Sequence, residues 1–342
     1  MKMNWSEEVV LVTGGSGSFG RKFVEIVLNE YRPKRVIVFS RDELKQHEMR
    51  AAGLQHSTLQ YFLGDVRDAH RLERAFCGVT LVVHTAALKQ VPACEDNPFE
   101  AIQTNIIGSK NLIDAAINRG IRRVIALSTD KAVNPINVYG ATKLCAERMF
   151  VQANDHAEAQ EPRFSCVRFG NFLGSRSSVV PIFVEQRKRG KITITDPRMT
   201  RFWITLDDAA RLVIRCFEQM QGGEIFVPKM ASMKLLDMAQ AVAPNCEIEC
   251  IGIRPGEKLH EVLLAEDEAR NSVEKEDIFV IQPPQSLRRK EDRHDGIPVA
   301  EGFRYASDSN SEWLTAEDLY SLIQDAAPPL SSLPDGDEHH IQ

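Results

Sequence analysis

Tyr139 and Lys143 stand four apart in the run Tyr139-Gly140-Ala141-Thr142-Lys143. On a helix that spacing puts both on one face. A lysine beside a tyrosine stabilises the phenolate, lowering a pKa that starts near about 10. Such a base can take a hydroxyl proton while a hydride leaves the same carbon. Alone the pattern says little, because Tyr and Lys are common on half-exposed helices. It gains weight from Leu127-Ser128-Thr129-Asp130-Lys131 just upstream, which reads as the C-terminal end of a strand. Ligands of open α/β sheets bind outside such strand ends. Asp130 and Lys131 add an acid and a base to the tyrosine. The plain alternative for the pair is a capping acid and a solvated lysine.

A second cluster lies near the N-terminus. Thr13-Gly14-Gly15-Ser16-Gly17-Ser18-Phe19-Gly20 follows a strand-like run and opens a helix-like one. Glycines at 14, 17 and 20 permit a tight turn and let backbone N–H groups of the loop (Ser16, Ser18 and Phe19 included) approach a pyrophosphate at a helix N-terminus. At the first βα junction, this reads as dinucleotide binding. Cofactor choice falls to Phe39-Ser40-Arg41-Asp42 at the end of the second strand. Ser40, Arg41 and Lys45 suit a 2′-phosphate, which favours NADP. Asp42 comes one or two positions late for the acid that NAD sites use, and Arg41 and Lys45 also fit a solvated helix start. Gly64-Asp65-Val66 follows the third strand, where Asp65 could meet an adenine amino group. Ala86-Ala87-Leu88-Lys89 follows the fourth and would lie along the cofactor.

The elements that position these residues alternate regularly. Apolar runs at Glu8–Thr13, Arg35–Phe39, Gln60–Leu63, Thr80–His84, Arg123–Leu127 and Ser165–Phe169 read as strands. Helical patterns at Gly20–Asn29, Glu43–Ala52, Ala69–Phe76, Phe99–Asn118 and Val138–Asn154 lie between them. This predicts βαβ units and a parallel sheet covered on both faces. After Gly170 the rhythm loosens. Helices are expected at Pro181–Arg189, Asp207–Met220, Leu235–Val242 and Glu257–Leu264, and short strands at Thr193–Thr195, Glu224–Val227, Ile248–Ile251 and Ile278–Ile281. Ser286–Pro298 reads as an exposed loop. Trp313–Ile323 reads as a last helix capped by Thr315. The expected fold is α/β. A Rossmann-type doubly wound domain for the dinucleotide spans 5–175, and a smaller mixed α/β domain for substrate spans 176–325, with segments returning to the main sheet. Residues 326–342 read as a flexible tail.

Composition narrows the function classes. The 342 residues are 43% hydrophobic and 26% charged, which excludes disorder as the main state. A net charge of −6 gives no basic domain for nucleic acid. The short run Arg187-Lys188-Arg189-Gly190-Lys191 lacks interleaved aromatics and reads as a solvated helix end. No apolar run reaches the roughly 18 residues of a membrane span, and Met1–Trp5 shows no signal-peptide stretch. The seven scattered cysteines form no CxxC and suit a reducing cytoplasm, without disulfide or metal site.

Taken together, the motifs carry a resemblance. Glycine loop, Ser-Thr strand end and YxxxK, in that order, resemble the extended short-chain dehydrogenase/reductases. Ser40–Glu43, Ala86–Lys89, Ser128–Ala132, Asn134-Pro135, Arg168–Asn171, Gly174–Arg176, Met199–Trp203 and Arg254–Lys258 resemble the UDP-N-acetylglucosamine 4,6-dehydratases, most closely the C5-inverting branch of the pseudaminic acid pathway. The likeness spans about residues 7–325. It implies that Tyr139 takes the 4-hydroxyl proton as hydride leaves C4 for NADP. Asp130 would then act as general acid and Lys131 as C5 base for loss of water across C5–C6, and hydride would return to C6. A lysine base needs a lowered pKa, which burial or a cationic neighbour could supply. Lys89, Thr129, Asn171, Arg176, Arg201, Arg254 and Glu257 are the implied substrate contacts. Met199–Trp203 is expected to buttress the site more than touch it. The branch carries Tyr139 where the membrane-anchored, C5-retaining relatives usually have methionine. A UDP-sugar 4-epimerase also oxidises C4 but needs no Asp-Lys pair, and a non-catalytic NADP sensor would need none of the four polar groups. A homo-oligomer, a hexamer by analogy, is the implied assembly.

Overall fold

The protein is seen in a computed structural model that describes residues 3–155, 162–175, 178–287 and 295–326. Six parallel strands form its centre: β1 (Val9–Thr13), β2 (Arg35–Ser40), β3 (Leu59–Leu63), β4 (Leu81–His84), β5 (Arg123–Thr129) and β6 (Arg163–Phe169). They lie in the order 3-2-1-4-5-6, the doubly wound arrangement. β1 and β4 are buried at every position, as a sheet covered on both faces requires. β3, at the edge, is only partly covered.

The connecting helices are α1 (Ser18–Ile26), α2 (Glu43–Ala51), α3 (Ala69–Ala75), α4 (Val91–Asp96), α5 (Pro98–Ile102), α6 (Gly108–Asn118) and α7 (Val138–Gln152). The single helix expected at 99–118 is instead α5 and α6 joined through a π-helical turn, Gln103–Ile107. α4 went unread in the sequence because it is short and follows a loop. Asn137 caps α7, its Oδ1 accepting from Gly140 N–H at 2.7 Å.

The second half extends the same sheet. Ile225–Pro228 runs parallel to β6, and Ile278–Ile281, Ser272–Glu274 and Ile297–Pro298 follow antiparallel, giving ten strands. A separate three-stranded sheet joins β7 (Asn171–Phe172), Thr200–Ile204 and Ala231–Lys234. Beside it Leu173, Phe183, Ile194, Trp203, Met233 and Met238 form a second core.

The helix expected at Glu257–Leu264 does not form. Pro255-Gly256 makes a turn, residues 257–261 run irregularly, and Val262–Leu264 is a strand paired with Tyr305–Ala306. The apolar spacing there serves that strand, while Lys258 and Glu261 turn toward β5. The final helix is Ala316–Ala326, with Thr315 Oγ1 accepting from Asp318 N–H at 3.1 Å. The tail at 327–342 and the middle of the polar loop, 288–294, lie outside the described residues. No helix among the described residues is long and apolar enough to cross a membrane.

Candidate active site

A cavity of about 570 Å³ opens outside the carboxyl ends of the parallel strands. That volume fits a cofactor-sized ligand. Gly14, Ser16, Gly17, Ser18, Phe19 and Gly20 line one side, Ser40, Arg41, Lys45, Asp65 and Val66 the far end, and Ala86, Ala87, Lys89, Tyr139 and Lys143 the rest. The fold therefore gathers every cofactor candidate around one space. Gly14 has φ +63°, and a Cβ there would stand 2.9 Å from Ala86 N. Glycine lets the loop after β1 lie against the end of β4.

Several contributors carry no sequence motif. Arg21 donates to Ser16 O at 3.1 Å and Lys45 O at 3.0 Å, stitching the loop to α2. Asn105 sits in the π-helical turn, a feature frequent at functional sites. Its Oδ1 accepts from Leu88 N–H at 2.8 Å and its Nδ2 donates to Leu88 O at 2.9 Å, which fixes the Ala86–Lys89 loop. Ser128 Oγ and Thr104 Oγ1 are buried, belong to residues lining the cavity and have no hydrogen-bond partner. Buried hydroxyls are normally partnered, so the cavity is shaped for a polar occupant. With a helix N-terminus aimed at it, the donor set suits a dinucleotide.

At the far end Ser16 Oγ and Ser40 Oγ are 2.7 Å apart. Asp42 caps α2, its Oδ1 accepting from Lys45 N–H at 3.0 Å and its other oxygen pairing with Lys45 Nζ at 2.8 Å. Those lysine contacts hold the Asp42 carboxyl below its usual range. Arg41 is largely exposed and lies 3.7 Å from Asp65. Burial pushes the Asp65 carboxyl up, but hydrogen bonds from Arg67 outweigh it and the net shift is downward. Burial lowers the Lys89 ammonium.

The end of β5 holds the second set. Asp130 is fully buried. Its Oδ1 accepts from Thr129 Oγ1 at 2.9 Å and from Lys131 Nζ at 2.9 Å. Lys131 Nζ also reaches Asn171 Oδ1 and Glu261 Oε1, each at 3.4 Å. Burial works to lower the Lys131 pKa, but the Asp130 and Glu261 charges win and hold it above its ordinary value. The lowered pKa that a lysine base needs is therefore absent from this state. Tyr139 packs with Cys94 and Ala101. Burial pushes its phenol up to about 12 against the opposing Lys131 charge and a Thr129 hydrogen bond. Lys143 Nζ donates to Leu127 O at 2.6 Å, so the cation acting on the phenol here is Lys131. Burial also lowers Lys143. A methyl on Gly140 would overlap Lys131 O, so glycine after Tyr139 lets α7 start against the Asp-Lys turn.

The substrate candidates separate. Asn171 and Thr129 lie at the Asp130–Lys131 turn. Arg201 is buried, donating to Thr200 O at 2.7 Å, Leu259 O at 3.1 Å and Lys258 O at 2.9 Å. It clamps backbone and has few donors left for a ligand. Arg254 is exposed, its N–H donating to Glu257 Oε2 at 3.3 Å, and neither residue lines the cavity. Arg176 lies outside the described residues. Glu261, brought onto Lys131, had no motif to mark it. In the basic run, Lys188 pairs with Glu185 at 2.9 Å and Lys191 with Glu249 at 3.3 Å.

Comparison with known proteins places nearly the whole chain among relatives. Residues 10–283 match the family model described as polysaccharide biosynthesis protein. The chain is 46% identical over 323 residues to a UDP-N-acetylglucosamine 4,6-dehydratase (inverting) of Campylobacter jejuni, covering 92% of this chain and 96% of that one. It is 40% identical to a UDP-glucose 4-epimerase of Rickettsia rickettsii over 80% of this chain and 83% of that one. The X-ray structure of Pen from Bacillus thuringiensis superposes with a TM-score of 0.87 at 37% identity, over 95% of this chain and 99% of that one. The chain belongs to the polysaccharide biosynthesis protein family, on a short-chain dehydrogenase/reductase fold with a Rossmann-type sheet.

Proposed function

We propose that the protein is an NADP-dependent UDP-N-acetylglucosamine 4,6-dehydratase that inverts C5. The observation that carries this reading is the Asp130–Lys131 pair, joined at 2.9 Å at the end of β5. A plain dehydrogenase or a 4-epimerase has no use for an acid and a base beyond its tyrosine. The identity to the inverting dehydratase of Campylobacter jejuni supports it over nearly the whole chain. Ser40 and Arg41, with Asp42 committed to the α2 cap, support NADP over NAD.

When bound, the dinucleotide supplies a hydride acceptor for C4, a positive ring, and the hydride that returns to C6. The protein's own groups do the rest. Tyr139 removes the 4-hydroxyl proton. The 4-keto group acidifies C5–H, whose proton passes to Lys131. Asp130 protonates the departing 6-hydroxyl, and water leaves. A proton returned to the opposite face of C5 sets the inverted centre. One molecule of water is lost and no net oxidation occurs. Thr129, Asn171 and Lys89 surround the sugar, and Arg254, Glu257 and Arg176 take the nucleotide. Residues 5–175 serve the dinucleotide and 176–325 mainly the UDP-sugar. We place the enzyme in the cytoplasm as a homo-oligomer, at the first step toward pseudaminic acid.

The epimerase of Rickettsia rickettsii, 40% identical, is the reason to keep a second reading. An NMR time course with UDP-N-acetylglucosamine in deuterated water separates the two. A 6-deoxy-4-keto sugar with deuterium at C5 and L-arabino configuration is expected. The D-xylo product would make the enzyme retaining. A 4-epimer with its 6-hydroxyl intact would make it an epimerase.

A further inference from the structure

Lys131 is held in a way that the proposed chemistry does not by itself explain. Its Nζ faces three oxygens: Asp130 Oδ1 at 2.9 Å, Asn171 Oδ1 at 3.4 Å and Glu261 Oε1 at 3.4 Å. An ammonium has three N–H donors and no acceptor. Two of them are hydrogen-bonded to protein oxygens and the Glu261 carboxylate pairs with the ammonium beside them, and a protonated amine has no lone pair free for a C5 proton. Lys131 must first give a proton up.

Glu261 comes from the far half of the chain, 130 residues on, and its side chain is only 3% exposed. Its backbone is pinned, its N–H donating to Ser307 Oγ at 2.9 Å and its carbonyl accepting from Ser307 N–H at 2.8 Å. Around it stand Arg201 Nε at 3.8 Å from Oε1 and Lys258 Nζ at 3.8 Å from Oε2. Lys258 Nζ also donates to Val133 O at 2.5 Å, just past the Asp-Lys turn. His260 is turned away, its Nδ1 2.8 Å from Thr200 Oγ1. Tyr139 faces Lys131 from α7. Two buried carboxylate oxygens lack a hydrogen-bond partner, Asp130 Oδ2 and Glu261 Oε2. A proton passed from Lys131 to Asp130 leaves a free amine and a carboxylic acid, which is the base and acid pair that water loss needs. Proton and charge balance within the pair.

We propose that Glu261 is a positioning residue for this step: its carboxylate holds the Lys131 amine at the end of β5 and governs when that amine is free to take a proton. This rests on Lys131 being the C5 base. Each carboxylate near the amine favours its charged form, and Glu261 is the one that does not itself serve as the acid.

The test is the pH profile of kcat and of C5 deuterium exchange in the full-length enzyme with UDP-N-acetylglucosamine. An opposite charge within hydrogen-bonding range moves a pKa by about 1–3 units. Glu261→Gln is therefore expected to move the acid limb of both profiles about 1–3 units toward lower pH, with KM little changed. Glu261→Asp keeps the charge at a longer reach and is expected to fall between Gln and the native enzyme. If the Gln variant does not fold, the Asp variant decides by the direction of its shift. An unmoved acid limb, or a raised KM with the profile intact, overturns the proposal. Lys131→Met separates it from the reading beneath. Exchange surviving that substitution removes Lys131 as base and the proposal with it. Exchange lost there, with Glu261→Gln unshifted, removes the proposal alone.

Discussion

At the residue scale, Tyr139 and Lys131 are coupled through charge. Burial raises the phenol to about 12 and the Lys131 charge acts against it. The phenol accordingly carries its proton at neutral pH in this state, and positive charge or a hydrogen-bond donor brought close to the oxygen favours its release. Tyr139→Phe keeps the ring packed against Cys94 and Ala101 while removing the proton acceptor. Losing a positioned acid–base group lowers rates by about 10²–10⁴-fold. Turnover should fall by that factor, whereas dinucleotide binding measured by calorimetry should stay within a few-fold. A variant retaining more than a tenth of native kcat would assign the proton to another group.

At the element scale, α7 begins against the Asp130–Lys131 turn because residue 140 has no side chain. A methyl there would strike Lys131 O, so α7 or the turn must move. Overpacking of this kind costs about 1–3 kcal/mol. Gly140→Ala should lower the melting temperature and reduce kcat far more than that loss implies, because Lys131 would leave its three oxygens. A fully active Gly140→Ala enzyme would show that the turn tolerates the shift. Much of this architecture was legible in the sequence. Strands buried on both faces read as short continuous apolar runs, which differ sharply from period-3.6 helical runs, and the six strands fall where their apolar runs lie. Gly14–Gly20, Tyr139 and Lys143 were legible because local backbone needs fix both type and spacing. Glu257–Leu264 misread as a helix because its apolar residues serve a strand pairing with Tyr305–Ala306, far away in sequence. Arg21, Asn105 and Glu261 escaped notice for the same reason. Each acts through a partner that the fold supplies, and no local spacing encodes it. The raised Lys131 pKa was hidden likewise, since one of its causes, after Asp130, lies at Glu261.

At the scale of the whole molecule, buried polar groups tie the layers together. Arg168, fully buried on β6, donates to Glu147 of α7 at 2.6 and 2.9 Å, to Glu268 at 2.7 and 2.8 Å and to Leu263 O at 2.9 Å. Every N–H-bearing nitrogen of the guanidinium is engaged, and α7 is locked to the segment just after Glu261. His84 does the same work at the centre of the sheet and adds a pH dependence. Ser109 Oγ donates its own hydrogen to Asn105 O at 2.7 Å, so His84 Nε2, 3.3 Å away, must be the donor to Ser109. Nδ1 then accepts from Thr13 Oγ1 at 2.8 Å. The neutral ring satisfies both contacts, and burial, then the Lys143 charge, depresses its pKa to about 3. The unfolded chain titrates near about 6.5. Between those values the unfolded state binds the extra proton, so stability is present above about 6.5 and is lost as pH falls toward about 3. The depression corresponds to about 5 kcal/mol across the window. Melting temperatures measured from pH 7 to pH 4 should therefore fall less steeply for His84→Gln than for the native protein, even if the variant starts lower. Parallel profiles would mean that acid lability arises elsewhere, and that the imidazole accepts a proton without leaving its place between β1 and α6.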